Sequence, residues 1–297
     1  MQDIYINSIS DWYNFRDTAV GTSADPIALH LTADLDFKDE DIQPSTYKDY
    51  ISSFDGDNYS IKNLSIIAPA GDAFFLGSTA LNITNLKLEN INIIANGYAT
   101  PFIGQYATNV QVTGNIAAKT ICCGVLMDNQ GNSAPQCTQC SFSGILNATI
   151  AVGITTKNSE SAYCEPTVNQ CCVKATLAPA VNYYIPVRGF RGYQPATAIV
   201  NNSFSSLTIL GDNTKNVFIG APNIFYGQDT YDYVYIENIN DISQVNIVVE
   251  GGNRKTITQN YVISNEASKI NFTSSIVPIL PLDDNLETYL RGQEWSI

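Results

Sequence analysis

Cys137 and Cys140 in "PQCTQC", with the adjacent pairs Cys122/Cys123 and Cys171/Cys172, have the residue type and spacing from which a thiolate metal site or a redox pair is built. A structural zinc ion needs four such sulfurs converging tetrahedrally, whereas a free thiol behaves as a small buried hydrophobe. His30, the single histidine, is followed by Thr32, Asp34 and Asp36 at alternate positions. On one strand all four share a face, where an imidazole and two carboxylates can hold a divalent ion or exchange a proton. A solvated outer face is the plainer reading of that alternation. "DFKDEDI" and "FDGDNY" add Asp39, Glu40, Asp41, Asp55 and Asp57 nearby, but their spacing matches no EF-hand loop and Asp-Gly-Asp is ordinary turn chemistry.

Two aromatic stretches are candidates for binding. "YYIPVRGFRGYQP" places Tyr183, Tyr184, Phe190 and Tyr193 around Arg188 and Arg191, and "FYGQDTYDYVY" places Tyr226, Tyr231 and Tyr233 beside Asp229 and Asp232. Aromatic rings flanked by carboxylates or guanidinium groups suit sugar rings, and Tyr and Arg are also enriched in protein interfaces. Cross-strand packing of the tyrosines without a ligand is the alternative.

The elements that must carry these residues follow from a repeated phrase, apolar-x-Asn/Gln-x-x-apolar. It occurs at "IKNLSI", "ITNLKL", "ATNVQV", "CTQCSF", "VNQCCV", "IVNNSF" and "ISQVNI". Its amides, Asn63, Asn85, Asn109, Gln139, Gln170, Asn201 and Gln244, are spaced at intervals typical of solenoid coils. The fourth and sixth places are almost all apolar and the fifth polar, the alternation of a half-buried strand. Strands stacked at ~4.8 Å would set like residues over like, with apolar rows inside and an amide ladder at a corner. The result is an all-β, right-handed parallel β-helix in which Cys140 and Cys171 stack inside neighbouring coils and Cys172 faces out. Core packing is the expected role of the thiols, with a Cys140/Cys171 bridge or a metal site as alternatives. Among the outward fifth and seventh places only Glu89 is acidic, which makes that wall a poor site for glycan cleavage.

A second strand recurs as "FFLG", "PFIG" and "VFIG". At the N-terminus Ser10 is a candidate N-cap for a helix carrying Trp12, Phe15 and Val20, and "IALHLTADLDF" alternates as an edge strand, so the pair would cover the open end of the stack. "PLDDNLETYLRGQEW" reads as a C-terminal helix capped by Asp283 or Asp284. The boundaries expected are an N-terminal cap at 1–48, regular coils at 49–210, and less regular coils with a helical tail at 211–297.

The order "LTADLDF", "FDGDNYSIKNLSI", "FFLG", "ITNLKLENI" resembles the GLUG-type right-handed β-helix repeats of bacterial and viral surface proteins, best over residues 1–120. The resemblance implies an adhesin, a secreted passenger, or a virion fibre or spike, and it brings no catalytic residue. The "F-L-G" elements lack the leading Gly-Leu typical of those repeats.

The chain of 297 residues has 15 Lys plus Arg against 28 Asp plus Glu, a net charge of −13, and only 14% charged residues. Such a field repels phosphate backbones and anionic lipid, so neither nucleic acid nor membrane insertion is expected. The opening "MQDIYINSIS" has no basic region followed by an apolar run, so it does not read as a secretory leader. Seven cysteines, an odd number, do not describe a closed disulfide set, and thiols are expected. No cofactor motif is present. The expected role is a non-enzymatic structural or attachment protein of a virus particle, assembled in the host cytoplasm. It would contact other virion or self subunits and present aromatic loops to protein or glycan. A glycan-active tailspike-type enzyme and a cell-surface adhesin are the alternatives.

Overall fold

The computed structural model describes residues 1–38, 46–128, 135–157 and 166–177, and from residue 182 onward a set of strands whose backbone pairing is defined. It is a parallel β-solenoid with three walls. The first wall runs from Gln2–Ile6 through Ile27–Leu31, Ile51–Asp55, Asn82–Ala95 and Tyr106–Ala118. It continues through Ser141–Asn147 and Cys172–Leu177, and each strand is in parallel register with the next. The second wall stacks Tyr98–Ala99, Ile121–Cys123, Ile150–Val152 and Asn182–Tyr184. The third stacks Thr46–Tyr47, Leu76–Gly77, Phe102–Ile103, Leu126–Asp128, Thr155–Lys157 and Val187–Arg191.

The long strands bend because their alternation is interrupted. In Asn82–Ala95 the buried residues are Ile83, Leu86, Leu88, Ile91, Ile93 and Ala95. The two steps of three fall where Asn85 and Asn90 adopt left-handed backbone, with φ of 51° and 55°. Each such residue turns the wall through a corner and restores the next apolar residue to the interior. Asn tolerates this conformation better than other non-glycine residues, and its amide can bond along the stack. Asn63, Asn109, Gln139 and Gln170 share the conformation, with φ between 53° and 54°.

These amides form two ladders at two corners. Asn109 Nδ2 donates to Asn85 Oδ1 at 3.0 Å, and Asn85 Nδ2 donates to Asp55 Oδ1 at 3.3 Å. The register then sets Gln139 over Asn109 and Gln170 over Gln139. Asn63 is not in this series, contrary to the single ladder expected. Because Ile61 pairs with Leu88, Asn63 stacks with Asn90, which donates to it at 2.8 Å, and Asn63 donates to Asp36 Oδ1 at 2.9 Å. The phrase had a further copy, "LENINI", that marks this second corner. In the next two coils glycine replaces the amide there, and Ala175 follows in the third. The register slips between Val112 and Gly114, and Gly114 and Gly144 take φ of 145° and 155°. A Cβ at Gly114 would meet the Ile91 carbonyl oxygen, and one at Gly144 that of Gly114.

The open end is plugged by aromatic packing. Ile9–Thr18 is helical, and its N-cap is Ser8 rather than Ser10, with Ser8 Oγ accepting from the Asp11 N–H at 3.2 Å. Trp12 and Phe15 are buried, and the Trp12 ring stacks on Phe75 at 4.1 Å while Phe37 and Phe102 meet Phe75 edge-on. Val20 is 74% exposed, because the helix ends at Thr18 and the chain leaves it through extended backbone at Ala19.

Later repeats depart from the expected alignment. Asn169 pairs with Asn201, so Asn201 is not level with Gln170 as expected. Val245–Val248, expected on the amide wall, belongs to the second wall, paired with Val217–Gly220, and Gln244 lies outside the described residues. The first wall continues instead through Asp232–Asn240, in register with Ser203–Leu210. "VFIG" likewise lies in the second wall, paired with Asn182–Tyr184, whereas "FFLG" and "PFIG" pair with each other in the third. The expected C-terminal helix lies outside the described residues.

At Asn109 two costs separate. Asn109→Ala loses its amide bond and places alanine in left-handed backbone, together about 2 kcal/mol, whereas Asn109→Gly loses only the bond, about 1 kcal/mol. Urea unfolding of the two variants checks this, and equal losses would show that the backbone conformation carries no cost.

Candidate functional site

Hydrogen bonding and burial dispose of the thiols first. The six cysteines among the described residues are thiols, in no disulfide, and all are buried. Cys140 Sγ bonds to the Ala107 carbonyl at 3.4 Å and lies between the thiols of Cys137 and Cys171, whose Sγ in turn reaches the Cys137 carbonyl at 3.5 Å. Burial pushes all three thiols up, and pushes Cys123 up to about 12. These are core groups held as neutral donors. Cys172, expected on the outside, is 3% exposed and is also pushed up by burial to about 12. Among the described residues no three His, Cys, Asp or Glu side chains are grouped to hold a metal ion.

His30, Thr32, Asp34 and Asp36 do not share one face, because the strand ends at Leu31 and a second begins at Leu35. His30 stacks on Tyr5 at 5.1 Å, and its Nε2 lies 3.1 Å from Asp3 Oδ1. Around the bend, Asp34 Oδ1 accepts from the Ser60 N–H at 2.8 Å and its Oδ2 from Lys62 Nζ at 3.0 Å. Glu89 accepts from Ser60 Oγ at 2.9 Å. The Ser60 amide, then Lys62, hold the Asp34 carboxyl below its usual range, and the Asn63 amide, then the Lys38 N–H, do so for Asp36. Both carboxylates therefore tie one coil to the next.

Beside the amide corner the first wall presents two outward columns free of charge. Asn82, Tyr106, Gln136 and Thr167 form one, and Thr84, Thr108, Thr138 and Asn169 the other. Their inward neighbours Ile83, Ala107, Cys137 and Val168 are buried, which fixes the columns on the outside. Tyr106 is 40% exposed. Toward the N-terminus the second column is headed by Asp55, His30 and Tyr5, so charge is confined to that end.

The aromatic stretches are divided among the walls. Tyr183 and Tyr184 lie in the second wall, level with Ala151 and Val152. Arg188, Phe190 and Arg191 lie in the third, where Arg188 is level with Thr156 and the strand turns back in an antiparallel pair with Gln194–Ala196. Asp232 and Tyr233 lie in the first wall. Tyr193, Tyr226, Asp229 and Tyr231 lie outside the described residues. Register brings Tyr233 level with Phe204 and Tyr261, residues that neither stretch contained. Their spacing of about one coil was the available clue.

No family model matches the chain, and no curated protein matches it. A crystal structure described as "a putative immunoglobulin A1 protease from Bacteroides ovatus" superposes with a TM-score of 0.57 and 15% sequence identity, covering 89% of this chain and 84% of that one. At that identity the likeness is one of fold.

Two outcomes follow from the buried and paired groups. At about pH 8 the six described thiols resist an aromatic disulfide reagent in the native protein and react on unfolding in guanidinium; rapid native labelling of Cys140 or Cys171 would contradict their burial. Because the folded Asp36 carboxyl ionises below the ordinary value of about 3.9, its contribution is present above that pH and lost as pH falls through the folded value. In Asp36→Asn the urea midpoint should fall less steeply below about pH 4 than in the unmodified chain.

Proposed function

We propose that the chain is a non-enzymatic attachment protein in which the solenoid is a stiff spacer and its outer walls make contacts. The observation that supports this most is the disposition of its reactive groups. Among the described residues the thiols are sealed in the core, the lone imidazole is engaged by Tyr5 and Asp3, and the Asp34 and Asp36 carboxylates join coils. Chemistry is spent on the stack, and the outer walls are left largely with hydroxyls and amides. A parallel β-solenoid suits a surface or attachment role because each coil buries its neighbour, so length is gained without new core design.

In its finer form the role is that of a fibre, spike or capsid-associated protein of a virus particle, assembled in the host cytoplasm against itself or other virion subunits. Gradient fractionation of infected material tests this: the protein is expected to sediment with particles, and its recovery only from cell surfaces would favour an adhesin. Incubation with bacterial and algal polysaccharides, and with immunoglobulin A1, is expected to release no new ends. Turnover that Asp34→Ala abolishes would overturn the non-enzymatic reading.

A further inference from the structure

We infer that the two uncharged columns of the first wall are a binding face for a neutral, linear polysaccharide lying along the solenoid axis. This rests on the attachment reading and gives it a ligand class and a place. The aromatic stretches of residues 183–195 and 225–235 do not form one surface, because their described members are divided among three walls. The columns instead form one continuous surface over four successive coils.

Their chemistry selects the ligand. In a chain of net charge −13, none of the eight column residues is ionisable below the tyrosine range. The face therefore gives a phosphate, sulfate or uronate polymer no cation to meet, and the summed field repels it. Apart from Asn82, whose Oδ1 is buried, the hydroxyl and amide side chains donate and accept as sugar hydroxyls do, so a glycan can exchange its water for the protein with bonds kept on both sides. Tyr106 supplies one ring for the face of a sugar, with Asn82 and Gln136 level with it on the coils before and after.

Repetition supplies the geometry. Equivalent groups recur at the rung spacing of ~4.8 Å, a length comparable to one sugar unit in an extended chain, so a contact made on one coil can be repeated on the next. Such contacts are individually weak and gain by being linked. The threonines add little ordering cost, because a β-branched side chain on a strand is already restricted. A protein partner fits less well, since an interface centre needs several desolvated apolar anchors and the columns offer Tyr106 alone. An ice lattice fits less well because the column beside the threonines is Asn82, Tyr106, Gln136 and Thr167, four positions of three different side-chain shapes besides threonine, and the threonine column itself ends in Asn169.

Calorimetry with cellohexaose, laminarihexaose and mannohexaose, against oligogalacturonate as the acidic comparator, tests the inference. At least one neutral hexasaccharide should bind, more tightly than its disaccharide, and the acidic oligomer should not. Tyr106→Ala should weaken binding about tenfold and Thr108→Arg should abolish it. Ser143→Ala, beyond the corner on the same wall, should change nothing, and circular dichroism and unfolding midpoint should be unaltered in all three. Failure of every neutral hexasaccharide to bind, binding indifferent to Tyr106→Ala and Thr108→Arg, or growth arrest of ice crystals that Thr108→Arg removes would each overturn it. Attachment of the whole protein to cells or particles, measured in parallel, separates the two readings: attachment that survives both variants removes this face and leaves the attachment role standing.

Discussion

Everything in the described solenoid depends on one requirement: that successive coils turn the same corner at the same height. A strand that must bend while keeping its apolar residues inside has to lose one step of alternation, and the left-handed residue is where it does so. For a non-glycine residue that conformation costs roughly 1–2 kcal/mol. Asn offsets much of it, because its short amide suits the conformation and can bond to the coil beside it for about 1 kcal/mol. The bonds observed have a direction. Asn109 donates to Asn85 and Asn85 to Asp55, while Asn90 donates to Asn63 and Asn63 to Asp36. Each ladder thus points its N–H groups toward the N-terminal end and finishes on a carboxylate, the acceptor that forms the strongest bond there. Two of the aspartates singled out in the sequence, Asp36 and Asp55, are the terminations of a structural series.

The two corners solve the same problem differently, and the difference has a cause in packing. At the first, an amide persists from Asn85 to Gln170. At the second, amides serve through Asn90 and then the coil loses a residue, so that Gly114 comes level with Ile91. With one residue fewer the backbones approach so closely that no Cβ fits at Gly114 or Gly144. A ladder of side chains is thereby exchanged for close contact of main chain.

Much of this was legible because a stacked fold repeats its constraints in the chain. The amide phrase and its alternation located the walls and the buried face, and they placed Cys140 and Cys171 correctly inside. What the phrase could not convey was identity of position. Asn63 and Asn85 sit in the same six-letter context but at different corners, since each is flanked by the same inward and outward steps. "ISQVNI" satisfies the pattern too, yet Val245–Val248 is a strand of the second wall, because all walls obey the same alternation of two. Only hydrogen-bond register distinguishes them. The face formed by Asn82, Tyr106, Gln136 and Thr167 was hidden for the same reason: its members are polar residues in unremarkable local contexts, one coil apart.

Function in such a molecule resides in different places from function in a layered fold. In a fold built from layers of distinct elements a site is assembled from loops, and clusters of unusual residues betray it. In a solenoid the interior admits apolar side chains, the corners admit amides or glycine, and the outer positions alone are free to vary without disturbing the stack. A surface there is written one residue per coil, so its meaning lies down the columns and not along the chain. The aromatic runs drew attention because they are contiguous, but contiguity in this fold scatters residues around the axis, as Tyr184 and Arg188 on neighbouring walls illustrate. A ligand that matches the molecule's own symmetry must be extended and repetitive, and the uncharged columns beside the amide ladder are the described surface that offers it the same groups again and again.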